Sequence, residues 1–245
     1  MRKAAVVLLL VLLTGCSGAP PPPAFTDARE LADAATAATT AGGSAKFSTD
    51  VAVGQVRSKG QGQARFGPGG TSQVMTTDFI GEPMELRLVA GKLYAKVPEG
   101  SRDEVGAGKP WVAVAADGTD PFSQVLGGSL AQLAAQNDPA HTLGEIRTAG
   151  TIVSSERTEL DGVAAEHYRV ELDLARLGAD LPAGLPAGSA GRFPVELWLD
   201  DTRRPVQVVL DLSPIVQGGE ARITTRYREW GAPVDVQPPP AGEVG

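Results

Sequence analysis

The sequence predicts an α+β protein: a large curved antiparallel sheet, a half-barrel, with a few helices over its concave face and an apolar cavity between them. Three observations predict it. Period-two alternation of apolar and polar residues dominates the chain after residue 44. Turn residues separate these runs, for the chain holds 30 Gly and 19 Pro in 245 residues. Only two segments of any length carry apolar residues at helical spacing, so little helix is available to cover so much sheet.

The first element is a leader. Arg2 and Lys3 precede an apolar run from Ala4 to Leu13. Ten residues of helix span about 15 Å, half of a roughly 30 Å hydrocarbon core. That is too short for a permanent span and fits a secretory h-region. Leu13-Thr14-Gly15-Cys16 resembles the bacterial lipobox. Residues 1–15 are expected to be a lipoprotein signal peptide, and Cys16 the lipidated first residue of the mature chain. Two acyl chains on Cys16 anchor stably at about 0.8 kcal/mol per buried CH₂. The expected location is the extracytoplasmic face of the cell membrane.

Residues 16–24 follow as a tether whose Pro20–Pro23 favour polyproline II. A single domain is expected over residues 25–236, and a Pro-rich tail over 237–245. Within the domain, Thr26-Asp27 caps a helix carrying Leu31, Ala34, Ala35 and Ala38 on one stripe, ended by Gly42-Gly43. Alternating runs then occupy Phe47–Val53, Gly60–Phe66, Thr71–Phe79, Met84–Leu88, Leu93–Val97 and Trp111–Ala115. Phe122, Leu126, Leu130 and Leu133 give a second helical face within Pro121–Gln136. Strand patterns resume at Thr151–Leu160, at Tyr168–Leu172 after the turn Asp161-Gly162, and in the sets starting at Val195, Val206 and Ala221. Each set alternates with charged or amide residues, as expected for a sheet with one apolar and one wet face.

Composition narrows the function. Lys and Arg number 22 against 29 Asp and Glu, a net charge of −7. Loss of Arg2 and Lys3 with the leader takes the mature charge to −9. That disfavours nucleic acid as a partner and leaves membrane attachment to the lipid. One Cys excludes an internal disulfide framework, and two His leave little for a zinc site or a His-dependent triad.

No catalytic constellation emerges. Ser189 in Ala187-Gly188-Ser189-Ala190-Gly191 lacks the strand and helix of a nucleophile elbow. His167 shares the polar side of its strand with Arg169 and Glu171. His141 follows Asp138-Pro139 in an expected turn, with no Cys or His at ligand spacing. Asp200-Asp201 and Arg203-Arg204 read as turns, and Trp111, Trp198 and Trp230 as packing residues. No metal or cofactor is implied.

Several stretches together resemble the LppX/LprG-type lipoproteins of actinobacterial envelopes. They are Asp161-Gly162-Val163 with Glu166-His167-Tyr168; Phe193-Pro194-Val195-Glu196-Leu197-Trp198-Leu199-Asp200 with Arg204-Pro205-Val206; and Tyr227 with Trp230-Gly231 and Pro233-Val234. The lipobox and the Ala-rich first helix agree in order. The resemblance implies a half-open antiparallel barrel that holds acyl chains beneath its helices. It further implies a carrier of acylated lipids or glycolipids across the envelope, some members acting beside a membrane exporter, with no catalytic motif.

The expected cavity floor is Val51, Val53, Met84, Leu86, Leu88, Val195, Leu197, Leu199, Val208, Leu210 and Ile223, closed from the helix side by Phe122, Leu126 and Leu130. The alternatives are a structural or partner-binding envelope lipoprotein with a filled core, and an extracytoplasmic hydrolase.

Overall fold

A computed structural model of the chain describes residues 22–79, 82–115, 123, 135, 137–177, 190–216 and 219–245. Among the described residues, eleven strands form one antiparallel sheet. They are β1 (Ser44–Val53), β2 (Val56–Arg65), β3 (Ser72–Phe79), β4 (Glu82–Val89), β5 (Lys92–Lys96), β6 (Trp111–Val114), β7 (Gly150–Leu160), β8 (Val163–Asp173), β9 (Arg192–Asp200), β10 (Pro205–Asp211) and β11 (Ala221–Arg228). Their spatial order is β6-β5-β4-β3-β2-β1-β11-β10-β9-β8-β7. Two meanders, β1–β6 and β7–β11, thus meet where β1 pairs with β11, in register from Lys46↔Arg228 to Val53↔Ala221. The sheet does not close, and β6 and β7 are its edges.

Every strand run read from the alternation is a strand. The tight turns follow their residues. Asp161 and Gly162 take φ of 52° and 80°, and Ala90 and Gly91 take 50° and 73°, the left-handed pair that matches strand twist. On β7 the register shifts between Ile152 and Ser154, a bulge that blunts this long edge.

Helix α1 (Ala28–Gly42) starts where Asp27 accepts from the N–H groups of Arg29 and Glu30, both at 2.9 Å. Gly43, at φ 72°, ends it. Its buried stripe is Ala28, Leu31, Ala32, Ala35 and Thr39. Ala34 and Ala38, expected on that stripe, are half-buried beside it. The short α2 (Arg102–Val105) lies between β5 and β6.

Helix α3 (Pro139–Ala149) occupies a stretch expected to be a turn. Asp138 accepts from the Ala140 N–H at 2.9 Å, and Pro139 stands in the first turn, where its missing N–H has no consequence. Leu143, Ile146 and Ala149 supply the buried stripe. His141 is therefore an exposed helix residue, 3.6 Å from Glu145. Helix α4 (Leu174–Leu177) continues directly from β8. α1 and α3 pack together, and they lie on β1, β7 and β8.

The convex face is wet and laced with ion pairs: Arg226–Asp50 at 3.0 Å, Arg222–Asp211 at 2.8 Å and Arg87–Glu85 at 2.7 Å. The Pro-rich C-terminal segment lies across it. The side chains of Gln63, Arg65 and Arg87 donate to the carbonyls of Asp235, Val234 and Gln237. Val244 then bridges in parallel to Trp111 on the edge strand β6.

Candidate functional site

Residues opposite each other across a ladder share a face, so the registers define the concave floor. One row runs Val170, Val195, Leu210, Ile223, Val51, Ser58. The next runs Tyr168, Leu197, Val208, Thr225, Thr49, Gly60, Thr77, Met84. A third runs Tyr227, Phe47, Gly62, Met75, Leu86, Ala95, Val112.

The expected floor residues all lie on this face, but unequally covered. Val195, Leu197 and Leu199 are sealed at 0% exposure, and Met84, Leu86, Val208, Leu210 and Ile223 are buried. Val51 and Leu88 are half-buried. Val53, the last residue of β1, is 49% exposed. Cys16, Phe122, Leu126 and Leu130 lie outside the described residues, as do Ser189 and most of the Pro121–Gln136 segment.

The alternation on β8 also supplies Tyr168, Val170 and Leu172, which the expected floor omitted, and β1, β3 and β9 add Phe47, Met75 and Phe193. The period-two pattern carries the signal for all of them.

The floor is not uniformly apolar. β8–β10 form one apolar lobe and β4–β6 another. Between them, β11, β1, β2 and β3 present Thr225, Thr49, Gly60, Gly62 and Thr77. Asn137, fully buried just before α3, reaches onto this waist. Thr49 Oγ1 donates to Asn137 Oδ1 and lies 3.2 Å from Thr225 Oγ1. The Tyr227 hydroxyl donates to the Asn137 carbonyl at 3.3 Å, and Asn137 Nδ2 donates to Met75 Sδ at 3.3 Å. These polar groups satisfy one another, as burial requires. No local pattern could have exposed this group, which joins positions 49, 75, 137, 225 and 227.

Burial pushes the Tyr227 hydroxyl well above its usual range, and the charge of Asp138 raises it further. Burial also raises Tyr168, against the Phe25 N–H that donates to it. Both phenols are therefore held neutral, Tyr227 donating to the Asn137 carbonyl and Tyr168 accepting from the Phe25 N–H. Asp138 itself is raised by burial, which its bonds from Thr71 and the Ala140 N–H only partly offset. At Asp200 burial pushes up, but the Thr202 hydroxyl and the Arg204 N–H and guanidinium outweigh it and hold the carboxyl low. That carboxylate is fully occupied closing the β9–β10 turn.

The residues weighed for chemistry are dispersed. His167 stacks on Trp198 on the convex face, with ring centroids 4.1 Å apart. It stands between Glu156 and Glu196, at 3.3 and 3.4 Å. Asp201 pairs with Arg157. Trp230 donates to the Pro205 carbonyl and packs on Phe66 and Tyr227. Trp111 lies under the C-terminal segment with the Arg87 guanidinium 4.6 Å above its ring. Two hollows of about 290 and 520 Å³ are lined chiefly by convex-face and edge residues, the first around Lys46, Gln61 and Arg228, the second around Lys96, Glu99 and Arg102.

No family model and no curated protein matches this sequence. Among solved structures, the Mycobacterium tuberculosis lipoprotein LppX matches at 14% identity with a TM-score of 0.53, covering 86% of this chain and 98% of that one. LprF from Mycobacterium bovis matches at 17% identity with a TM-score of 0.49, covering 86% and 96%. The open antiparallel sheet of this chain is thus similar in fold to LppX, and the resemblance read from the sequence holds at the level of the fold.

Proposed function

We propose that this chain is a lipid-anchored envelope lipoprotein that holds acylated lipids or glycolipids against its concave face and helps carry them across the envelope. The observation that carries the reading is the floor itself. It is a broad, mostly apolar face, interrupted by the polar waist, on an unclosed sheet wider than the helices α1 and α3 that pack on it. The mechanism is partition. Acyl chains pass from a bilayer to a preformed apolar surface and meet little water in either state. The LppX fold and the lipobox at Cys16 support the same reading. The polar groups of the waist bond to one another, which leaves shape and apolar area to select the ligand.

Native mass spectrometry tests it. The domain from Ser17 onward is purified without detergent from an actinobacterial host, and its mass is read before and after organic extraction. An adduct of lipid mass that extraction removes is the expected result. A bare mass, with no uptake of added acyl lipids, would instead favour a structural or partner-binding lipoprotein. Leu197→Trp refines the test, since Leu197 is sealed in the middle of the β8–β10 lobe. Lipid loading should fall while the fold persists. A loss of about 1–3 kcal/mol of stability with loading unchanged would mark this lobe as filled core.

A further inference from the structure

The two ends of the concave face differ. At one end the chain enters the fold. Arg203 in the β9–β10 turn donates to the Pro23 carbonyl at 2.5 Å, and its guanidinium lies 4.4 Å over the Phe25 ring. The Phe25 N–H donates to the Tyr168 hydroxyl at 3.0 Å. The tether is thus rooted beside Asp200–Arg204. α1 ends on this side too, with Gly42 pressed close to the Trp230 ring.

At the opposite end, the β1–β2 hairpin and the β10–β11 connection form one rim. The Gly54 N–H donates to the Glu220 carbonyl at 2.8 Å. Arg57 pairs with the Glu220 carboxylate at 2.6 Å and donates to the carbonyls of Gly54 and Val56. Here Val53 is 49% and Val56 65% exposed, and Leu212 and Ile215 are partly buried against the core. The floor leads straight to this rim: along β1, Phe47 and Thr49 are buried, Val51 is half-buried and Val53 open. The rim charges are paired, Arg57 with Glu220 and Arg222 with Asp211. An apolar, locally neutral edge stands out on a chain of net charge −7.

We propose that acyl chains enter and leave the concave face over the rim formed by Val53, Val56, Leu212 and Ile215, at the end of the sheet opposite the tether root. This rests on the lipid-carrier reading above. A graded apolar path from rim to floor lets a chain slide inward with little exposure to water. Pairing of the rim charges removes the repulsion that the acidic body would otherwise exert on anionic headgroups. Strand β10 spans roughly 20 Å at about 3.3 Å per residue. The seven residues from Cys16 to Pro22 can reach at most roughly 25 Å. In the orientation that sets the strands along the membrane normal, the rim lies about one strand length, roughly 20 Å, beyond the tether root and points away from the bilayer that holds Cys16. The occupant is therefore acyl lipid presented by a second membrane surface.

The test uses the full lipidated chain in phosphatidylcholine vesicles. Donor vesicles of the same lipid carry acyl-labelled phosphatidylcholine at self-quenching density, and dequenching reports uptake. Val56→Glu should slow uptake about tenfold, because a charge beside the path penalises each passing chain. Final loading should stay unchanged, since Val56 lies outside the floor that holds the bound lipid. Val153→Glu with Val163→Glu, exposed positions away from the rim, should leave the rate as in the parent. A parent rate in the rim variant, or equal slowing in both variants, overturns the proposal. A parent protein that takes up no label refutes the carrier reading, and the rim proposal falls with it.

Discussion

Gly62→Ala should destabilise the fold, against the usual sign of such a change. Alanine in a strand interior normally gains about 0.5–1 kcal/mol over glycine. A Cβ on Gly62 would lie 2.4 Å from the Val74 carbonyl oxygen, 2.6 Å from Phe47 Cζ and 2.9 Å from Met75 Cβ. Phe47 can tilt. The Val74 carbonyl belongs to the β2–β3 ladder and Met75 Cβ to its backbone, so relief requires the strands to part. Overpacking of that kind costs about 1–3 kcal/mol, which outweighs the propensity gain. A net loss of about 1–2 kcal/mol should lower Tm by about 2–8 °C in a domain of this size.

Gly60→Ala is the control. Its nearest neighbour is Met75 Cε at 3.0 Å, the mobile tip of a flexible side chain, and the next atoms lie at 3.5 and 3.6 Å. It should be neutral or mildly stabilising. Phe47→Leu should rescue Gly62→Ala only in part, because the carbonyl contact remains. Urea denaturation followed by tryptophan emission gives the stabilities. Gly62→Ala as stable as the parent, or Gly60→Ala equally weakened, would refute the close-packing argument for this part of the floor.

Two further outcomes follow from other parts of the molecule. Asp138 is held above its unfolded value, so its contribution to stability is fully present below the unfolded pKa of 3.8 and is lost as pH rises through the raised folded value. Asp138→Asn keeps a good N-cap without the buried charge; its Tm should exceed the parent's at pH 7, with the gap closing toward pH 3, and a pH-independent gap would contradict this assignment. Deleting residues 238–245 removes the Val244 bridge and the Gly245 N–H bond to the Trp111 carbonyl. Trp111, now 3% exposed, should shift its emission to the red, and the bared β6 edge should self-associate with concentration in sedimentation velocity; unchanged emission would count against the docked segment.

The strands were legible because period-two patterning is local: a residue's side of the sheet follows from its parity. The breaks at Asp161-Gly162 and Ala90-Gly91 were legible from their glycines, but the left-handed conformation of Ala90, which alanine disfavours, was not. Helix α3 was missed although its signals were present, with Asp138 as cap, Pro139 in the first turn and Leu143 and Ile146 behind. Its neighbours His141, Gly144 and Glu145 diluted the apolar stripe, and Asp-Pro reads equally well as a turn.

The sequence by itself determined the apolar parity of each strand, the cap of α1 and the scarcity of His and Cys. All of these rest on residues close together in the chain. Only the tertiary structure decided that β1 pairs with β11, and so that Phe47, Ile223 and Met75 share one floor. It also decided that Thr49, Thr225 and Asn137 divide that floor, that the C-terminal segment lies on the convex face, and that Val53 ends in the open while Val195 is sealed. Each depends on which distant strands meet and where the covering helices stop. Those facts are set by long-range packing, on which local periodicity is silent.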